Sequence, residues 1–341
     1  MVRVLEVTPI AMVTGEDSVN RTGSAFGVYG TDLGISWESR PGEVLLAFGD
    51  SYGREWGGNG AGPAHADWRC NFVARSTTTH LDQGLLLEPV ARRADGAAAQ
   101  AIDRAENRDR ENTVIPTSGI AIDGTNYLSY MSVQSWGEPG HWHTDHAGIA
   151  VSEDNGLTWR KPDEARWPNE RRRPGLFDRP RDHPFQIGAF ARDAEHVHLF
   201  GTPSGRFGSA SLARVEPDQV LNPSRYRYWT GTDWGADDPF GAAPVIPGPV
   251  GELSVRFNEF ANCWLAMHLD ERRAAIVLRA APELTGPWSE GITVVEGSRF
   301  PGLYGGYLHP WTTADPVVYF TMSQWGPYNV SLFRAVLATG W

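Results

Sequence analysis

Residues Ser152–Trp159 read SEDNGLTW and match the pattern S-x-D-x-G-x-T-W at every defined position. In such a turn the Ser and Asp side chains bond the local backbone, the Gly takes a positive φ, and the Trp packs between sheets. The motif therefore predicts a tight turn between two strands. Although Asp154 is the acid of the best-defined motif in the chain, its predicted role is structural.

The sequence around this turn repeats. Five times, a short strand is followed by a strongly apolar strand and then by a third strand rich in small residues. Repeated small sheets of this kind predict an all-β fold, a five-bladed β-propeller. In propellers the SEDNGLTW pattern is the Asp-box, which joins the outer strands of a blade. The five apolar middle strands are predicted at Val44–Asp50, Asn126–Val133, His196–Thr202, Cys263–Leu269 and Val317–Ser323.

The two ends of the chain are predicted to close the ring. Val2–Met12 reads as a strand that would complete the last blade beside Val330–Leu337. Residues 1–341 would then form a single catalytic domain with no linker. Two stretches do not fit the blades: Ala91–Arg110 is predicted to be a surface helix or a mobile loop, and Arg160–Arg181 a long, basic, solvated loop.

Composition excludes several functional classes. The chain has 30 basic and 41 acidic residues, a net charge of −11, which disfavours nucleic acid and anionic membranes as partners. Cys70 and Cys263 form no CxxC pair and no disulfide framework, so we predict buried free thiols. No run approaches the roughly 18 apolar residues of a membrane span. The N-terminal MVRVLEVTPIAMV lacks the pattern of a signal peptide, so we expect a soluble protein made in the cytoplasm.

The stretch Tyr29–Ser51, YGTDLGISWESRPGEVLLAFGDS, is predicted to form a hairpin with one acid on each strand, Asp32 and Asp50. A carboxylate beside an apolar strand is costly to desolvate unless it is paired, hydrogen-bonded or faces a wet cavity. Flanking glycines let another group approach the backbone closely. Glycoside hydrolysis needs two such carboxylates in one cavity, where their repulsion separates their pKa values. The alternative is that both acids bond only local N–H groups.

Further candidates follow from the propeller itself, because the innermost strand of each blade lines the central channel. Acids, amides, imidazoles and aromatic rings on these strands or on adjacent loops are predicted to bind substrate. Aromatic rings among them serve either as platforms for sugar rings or as core. The predicted substrate-binding residues are Glu111, Asn112, Trp136, His143, Asp145, Gln186, Glu252, Asn258, Tyr304 and His309.

The segment HWHTDH at residues 141–146 clusters three His and one Asp. Such a cluster is compatible with a metal ion, but a loop across a channel mouth can also use His to hold sugar hydroxyls. We favour the second interpretation and predict neither a metal site nor a cofactor. The acidic rim would still permit a structural cation, such as calcium, on the propeller axis.

Several motifs together resemble one known family. GTDLGISWE, LLAFGDSYG, MSVQSWG, SEDNGLTW, LNPSRYRYWTG and YFTMSQWGPYNV are spread from about Gly23 to Leu337. They resemble a family of actinobacteria and their phages, long described as a domain of unknown function, whose members are recognised as endo-D-arabinanases of glycoside hydrolase family 183. The resemblance implies a five-bladed propeller that cuts the D-arabinan of arabinogalactan and lipoarabinomannan in the mycobacterial cell wall. Carried over by position, its paired catalytic acids are Asp32 and Asp50.

This resemblance sets the leading hypothesis and its alternatives. We expect an endo-acting glycoside hydrolase whose partner is a neutral polysaccharide. Because no signal peptide is seen, we hypothesise that the enzyme is phage-encoded and acts on the bacterial wall. One alternative is a non-catalytic, glycan-binding adhesion propeller, which would tolerate loss of either Asp. The other is a sialidase, which would need three converging arginines, with candidates Arg21, Arg40, Arg75, Arg256 and Arg279.

Overall fold

The computed structural model describes residues 2–106, 110–169, 182–311 and 314–340. Its strands form five separate antiparallel sheets. The first strand of each sheet contacts the first strand of the next, so the sheets follow one another around a ring, and the first contacts the fifth. The five-bladed, all-β propeller predicted from the repeats is confirmed.

The strands are numbered in chain order, and blades one to five begin with β2, β6, β10, β16 and β20. Their bounds are β1 Val2–Met12, β2 Leu33–Arg40, β3 Glu43–Phe48, β4 Phe72–Ser76, β5 Glu88–Pro89, β6 Thr113–Ile122, β7 Thr125–Trp136, β8 Trp142–Ser152, β9 Arg166–Pro168, β10 Ile187–Arg192, β11 Val197–Thr202, β12 Ala210–Val215, β13 Arg227–Trp229, β14 Trp234–Ala236, β15 Pro244–Ile246, β16 Leu253–Asn258, β17 Cys263–Asp270, β18 Ala275–Ala281, β19 Ile292–Glu296, β20 Leu303–Leu308, β21 Val317–Gln324 and β22 Asn329–Thr339. The helical segments are α1 Thr22–Phe26 and short 3₁₀ turns at Leu81–Gln83, Pro217–Gln219, Pro223–Arg225 and Pro239–Gly241.

The terminal strands close the ring as predicted. β1 pairs antiparallel with β22, from Val2 opposite Thr339 to Met12 opposite Ser331. The fifth blade therefore consists of β20, β21, β22 and β1. Its outermost strand comes from the opposite end of the sequence to the other three, so the pairing ties the first blade to the last.

The middle strand of a blade packs against neighbouring blades on both faces, as alternate residues of β3 do in two separate core clusters. All six residues of β3, EVLLAF, are buried, because both faces of a central strand in a blade pack against other sheets. Contacts between blades include polar ones: the indole Nε1 of Trp37 donates a 2.9 Å hydrogen bond to Oδ1 of Asn126 in the second blade. This burial explains why the middle strands are the strongest signal in the sequence.

The Asp-box turn has the predicted structure. Asp154 accepts hydrogen bonds from the hydroxyl of Ser152 at 2.8 Å and from the backbone N–H and hydroxyl of Thr158 at 2.9 and 2.6 Å. Gly156 has a φ of 87°, and the ring of Trp159 meets that of Trp37 edge-on, with centroids 6.4 Å apart. The structural role predicted for Asp154 is confirmed.

The two stretches predicted to lie outside the blades differ from expectation. Within the predicted loop at 160–181, Arg166–Pro168 form β9, the outer strand of the second blade. The described part of the 91–110 stretch contains no helix, because its backbone bonds the first blade instead: Asn71 Oδ1 accepts from the N–H groups of Ala101 and Ile102 at 3.2 and 2.8 Å. The helix alternative for this stretch was therefore wrong. The arginine run at residues 171–173 lies outside the described residues.

The cysteines are free, and the thiol of Cys70 is buried whereas Cys263 is half-buried. Within the described ranges, no helix has the length and apolar character needed to cross a membrane.

Candidate active site

A cavity of about 350 Å³ opens at one mouth of the central channel. Its wall is built from the first residues of the inner strands and from the hairpins that connect the second strand of a blade to the third. Blades one, two, three, four and five all contribute side chains. The polar and charged residues of the wall are Asp32, Asp50, Asn112, Thr113, Arg206 and Glu252.

The backbone at the start of β2 places Asp32 in this wall. Leu33 and Gly34 have φ values of 72° and 77°, and the pairing of β2 with β3 shifts register between Leu33 and Ile35. A bulge of this kind re-aims the neighbouring side chain. A non-glycine residue in the left-handed region is strained, and the fifth blade holds it there: the Leu33 N–H donates a 2.8 Å hydrogen bond to the hydroxyl of Ser323.

The two oxygens of the Asp32 carboxyl have different surroundings. Oδ2 accepts a 2.8 Å hydrogen bond from the hydroxyl of Tyr304. Oδ1 is buried and has no partner at hydrogen-bond distance in the part of the chain that the structure describes. Gly49 leaves room for this oxygen, since a Cβ on Gly49 would collide with it. Burial, then the charge of Asp50, then that of Glu252 raise the pKa of Asp32 to about 7, whereas the hydroxyls of Tyr304 and Tyr328 act to lower it.

Asp50, on the hairpin that follows β3, is buried and more strongly hydrogen-bonded. Its Oδ1 accepts from the hydroxyl of Thr113 at 2.7 Å and from the indole N–H of Trp68 at 2.8 Å. Burial raises the pKa of Asp50 to about 6, and these two donors limit the rise. Since the charge of Asp50 raises the pKa of Asp32, the pair favours a protonated Asp32 beside an ionised Asp50, the combination that acid–base chemistry on one substrate needs.

Arg206 and Glu252 of the same wall form an ion-pair cluster with Glu271, which lies outside the cavity lining. Arg206 contacts Glu252 Oε1 at 2.7 Å and Glu271 Oε1 at 3.1 Å, and its guanidinium lies 4.9 Å from the ring centroid of Tyr304. Burial acts to lower the pKa of Arg206, but the two glutamates more than reverse this and keep it charged. The Tyr304 hydroxyl bonds Asp32. The ion-pair cluster, which packs on the phenol ring of Tyr304, therefore helps to fix the side chain that holds this carboxyl.

The structure brings together part of the set predicted from the sequence. Six of the predicted residues line the cavity: Asp32, Asp50, Asn112, Trp136, Glu252 and Tyr304. The other six do not: Glu111, His143, Asp145, Gln186, Asn258 and His309. Their predicted contact with substrate remains a prediction.

The residues outside the cavity have other partners. Glu111 is bonded by Lys161 at 2.8 Å and by Ser132 at 2.8 Å, and Gln186 accepts from Thr144 at 2.6 Å. Asp145 pairs with Arg110 and His146.

Asn258 and His309 lie at the other ends of their inner segments. Asn258 accepts from the N–H of Ala261 at 2.8 Å, and His309 Nδ1 accepts from the N–H of Trp311 at 3.3 Å. An inner strand runs through the channel, so only its first residues reach this mouth.

Several cavity residues were missed by sequence reasoning: Trp68, Thr113, Arg206, Trp325 and Tyr328. One signal was available for Trp325, because MSQWG in the fifth blade echoes VQSWG in the second. Both segments close the middle strand of a blade with a Trp-Gly pair. The signal for Thr113 was its place at the start of an inner strand, beside the predicted Asn112.

The segment Gly49–Gly53, GDSYG, also fits the G-x-S-x-G pattern of a serine nucleophile. The Ser51 hydroxyl is buried, lies 2.7 Å from the hydroxyl of Thr31 and donates to the carbonyl of Gly49 at 2.8 Å. Its hydrogen bonds to described residues include none with a histidine. We assign Ser51 a structural role.

Neither a metal cluster nor a sialidase-like arginine triad is assembled among the described residues. No group of three His, Cys, Asp or Glu side chains there could share a metal ion, and His141 of the HWHTDH segment stacks on Phe207 at 4.5 Å. Arg206 is the one described arginine that lines the cavity. Its charge is already matched by Glu252 and Glu271, so it offers no free cation for a substrate carboxylate.

Comparison with known families gives a match over nearly the whole chain. Residues 17–334 match the model of a family described as a domain of unknown function, DUF4185. This chain is a DUF4185 protein. It is 31% identical over 329 residues to Notoamide biosynthesis cluster protein J of Aspergillus sp. (strain MF297-2). The matched region covers 91% of this chain and 83% of the relative. A similar protein J′ of Aspergillus versicolor is 31% identical over 333 residues, 93% of this chain and 86% of the relative.

Solved structures share the fold of this DUF4185 protein. A family 117 glycoside hydrolase from Zobellia galactanivorans has a TM-score of 0.56 at 12% identity, covering 97% of this chain and 89% of that one. A GH43 enzyme from Xanthomonas citri has a TM-score of 0.54 at 12% identity, covering 91% and 88%. At this identity the likeness establishes the propeller fold.

Proposed function

We propose that this DUF4185 protein is an endo-acting glycoside hydrolase that cleaves α-D-arabinofuranosyl linkages in cell-wall D-arabinan. One observation carries the proposal: Asp32 and Asp50 line a single cavity at the mouth of the propeller channel, both with raised pKa values. The sharing of this fold with glycoside hydrolases and the motif resemblance to endo-D-arabinanases support the same reaction class.

The surroundings of the two acids suggest distinct roles. Asp32 has the higher pKa, about 7, and one carboxyl oxygen with no partner among the described residues. It is therefore suited to protonate the leaving glycosidic oxygen. Asp50, with its pKa of about 6 and two donors on Oδ1, is ionised near neutral pH and suited to act as base or nucleophile.

The walls suit a neutral sugar polymer. The single arginine in the described wall is already paired with glutamates, so nothing there selects for an anionic substrate. Several indole and phenol rings complete the cavity, and aromatic faces pack well against the C–H faces of sugar rings. The rings concerned are Tyr52, Trp68, Trp136, Trp142, Trp325 and Tyr328.

The test is product analysis on mycobacterial arabinogalactan and lipoarabinomannan. We expect the wild type to release short arabinose oligomers, and Asp32→Asn and Asp50→Asn to lose at least about 10²-fold in rate, the scale typical of acid–base groups. Asp315→Asn changes an exposed acid outside the cavity and serves as the matched control with unchanged rate. Polymer binding without release, equal in both Asn variants, would instead establish a glycan-binding propeller.

The names of the two Aspergillus relatives, which are biosynthesis cluster proteins, favour a second candidate function: an acid–base reaction on a small molecule. They match more than nine-tenths of this chain, and a cavity of about 350 Å³ is within the size range of small-ligand sites. Turnover of low-molecular-weight aryl glycosides, with no release from any polymer, would favour this candidate. Dependence on Asp32 and Asp50 is expected in either case.

A further inference from the structure

Two tryptophans stand out by their exposure. Most indoles that the structure describes are buried or half-buried, but Trp136 is 49% exposed and Trp325 is 53% exposed. Both line the cavity that contains Asp32 and Asp50. Ligand sites are typically lined by aromatic side chains around a few polar groups, which is the arrangement of this cavity.

Their places in the ring put them on either side of the acids. Trp136 ends β7 in the second blade, and Trp325 follows β21 in the fifth. Strand β2 of the first blade, which starts beside Asp32, contacts both β6 of the second blade and β20 of the fifth. The first blade, with its two carboxyls, therefore lies between the blades that carry the two indoles.

Each indole is held in place without being covered. The ring of Trp136 meets that of Trp142 edge-on with centroids 5.8 Å apart, and Trp325 meets Tyr328 in the same way at 5.6 Å. Gly60 of the first blade approaches Trp325 closely, since a Cβ there would lie 3.1 Å from the indole Nε1. Edge-to-face contacts of this kind fix a ring and reduce the entropy that a ligand must otherwise remove on binding.

We propose that Trp136 and Trp325 are two sugar-stacking subsites on opposite sides of the Asp32–Asp50 pair. The inference rests on the proposed function and extends it. A polysaccharide chain crosses the channel mouth from the fifth blade to the second, with one sugar on each indole and the scissile bond above the first blade. Because the chain is held on both sides of the acids, the cut falls inside the polymer, and both indoles together make the enzyme endo-acting.

The test separates binding from cleavage. In an Asp50→Asn background, titration calorimetry with short and long D-arabino-oligosaccharides is compared for Trp136→Ala, Trp325→Ala and the control Phe260→Ala. Phe260 is an exposed ring, 37% exposed, on the hairpin between β16 and β17, outside the cavity. We expect each Trp variant to lose about tenfold in affinity for the long oligomers, on the scale of other stacking contacts, and the control to lose none. Thermal unfolding of each variant checks that it is folded.

The outcomes distinguish this inference from the proposed function. If the wild type releases oligomers and either Trp variant binds long oligomers as tightly as the control, the subsites are overturned while the hydrolase stands. If both Trp variants lose affinity but the wild type releases nothing, the subsites stand and hydrolysis is overturned. In the active protein, the subsites predict that each Trp variant loses more kcat/KM on the polymer than on a small aryl arabinofuranoside.

Discussion

At the scale of single residues, the carboxyl of Asp32 destabilises the folded protein when it is ionised. Its folded pKa of about 7 lies above the roughly 3.9 of an unfolded chain, so its contribution to stability is complete below about pH 4 and is lost as the pH rises through about 7. Asp32→Asn should therefore be more stable than the wild type at about pH 8, by about 1–3 kcal/mol, and similar to it at about pH 4. Urea unfolding at both pH values measures this, and a difference independent of pH would contradict it.

Thr113 controls the other carboxyl. Its hydroxyl donates to Asp50 and lowers the pKa of that acid, so Thr113→Val should raise it and move the acidic limb of the pH–rate profile upward by about one unit. Thr117→Val is the matched control, because Thr117 lies on the same strand and bonds Ser129 at 3.1 Å. The profile of kcat/KM against pH is the measurement, and equal limbs in the two variants would refute the role of Thr113.

The sequence was enough to predict that Asp32 and Asp50 lie in one cavity, but not which side chains hold them in place. Asp32 and Asp50 each break a short apolar run, which is visible in a local window of sequence. Arg206 is different, because its partners Glu252 and Glu271 lie 46 and 65 residues further along the chain. Only the packing of blade three against blade four brings Arg206 and the two glutamates together, and no local sequence pattern encodes that packing.

At the scale of elements, Arg206 on the β11–β12 hairpin forms ion pairs with two glutamates, Glu252 just before β16 and Glu271 just after β17 of the fourth blade. Arg206→Met would leave Glu252 and Glu271 without their cation in a partly buried wall, and such losses cost about 3–5 kcal/mol. Adding Glu252→Gln should recover part of that loss, since one unpaired charge is removed. Chemical unfolding of both single variants and the double variant gives the coupling energy. Additive losses would mean that the ion pair stabilises nothing.

Element prediction succeeded where strands are long and failed where they are short. The middle strands have enough consecutive apolar residues to be recognised. The fourth strands of the first two blades, Glu88–Pro89 and Arg166–Pro168, have two and three residues, too few for an alternating pattern. They exist because an outer edge of the blade is available to pair, which is a property of the assembled sheet.

At the scale of the whole molecule, ring closure depends on β1. Deleting residues 2–12 should expose the apolar edge strand β22 and remove the link between the ends of the ring, causing aggregation or a much lower Tm. Size-exclusion chromatography and thermal unfolding measure this. A synthetic Val2–Met12 peptide added during refolding should restore part of the stability. A monomeric variant with unchanged Tm would show that the β1–β22 pairing is dispensable.

The seam between the first and last blades also has a consequence for protein synthesis. Asp32 emerges early from the ribosome, but its carboxyl is held by Tyr304 and the backbone of the adjacent Leu33 by Ser323, and both partners are translated near the end. A nascent chain therefore has Asp32 long before it has the groups that orient this acid. Under the proposed function, prematurely terminated products should be inert, and the hydrolytic activity should appear only once translation of the last blade is finished.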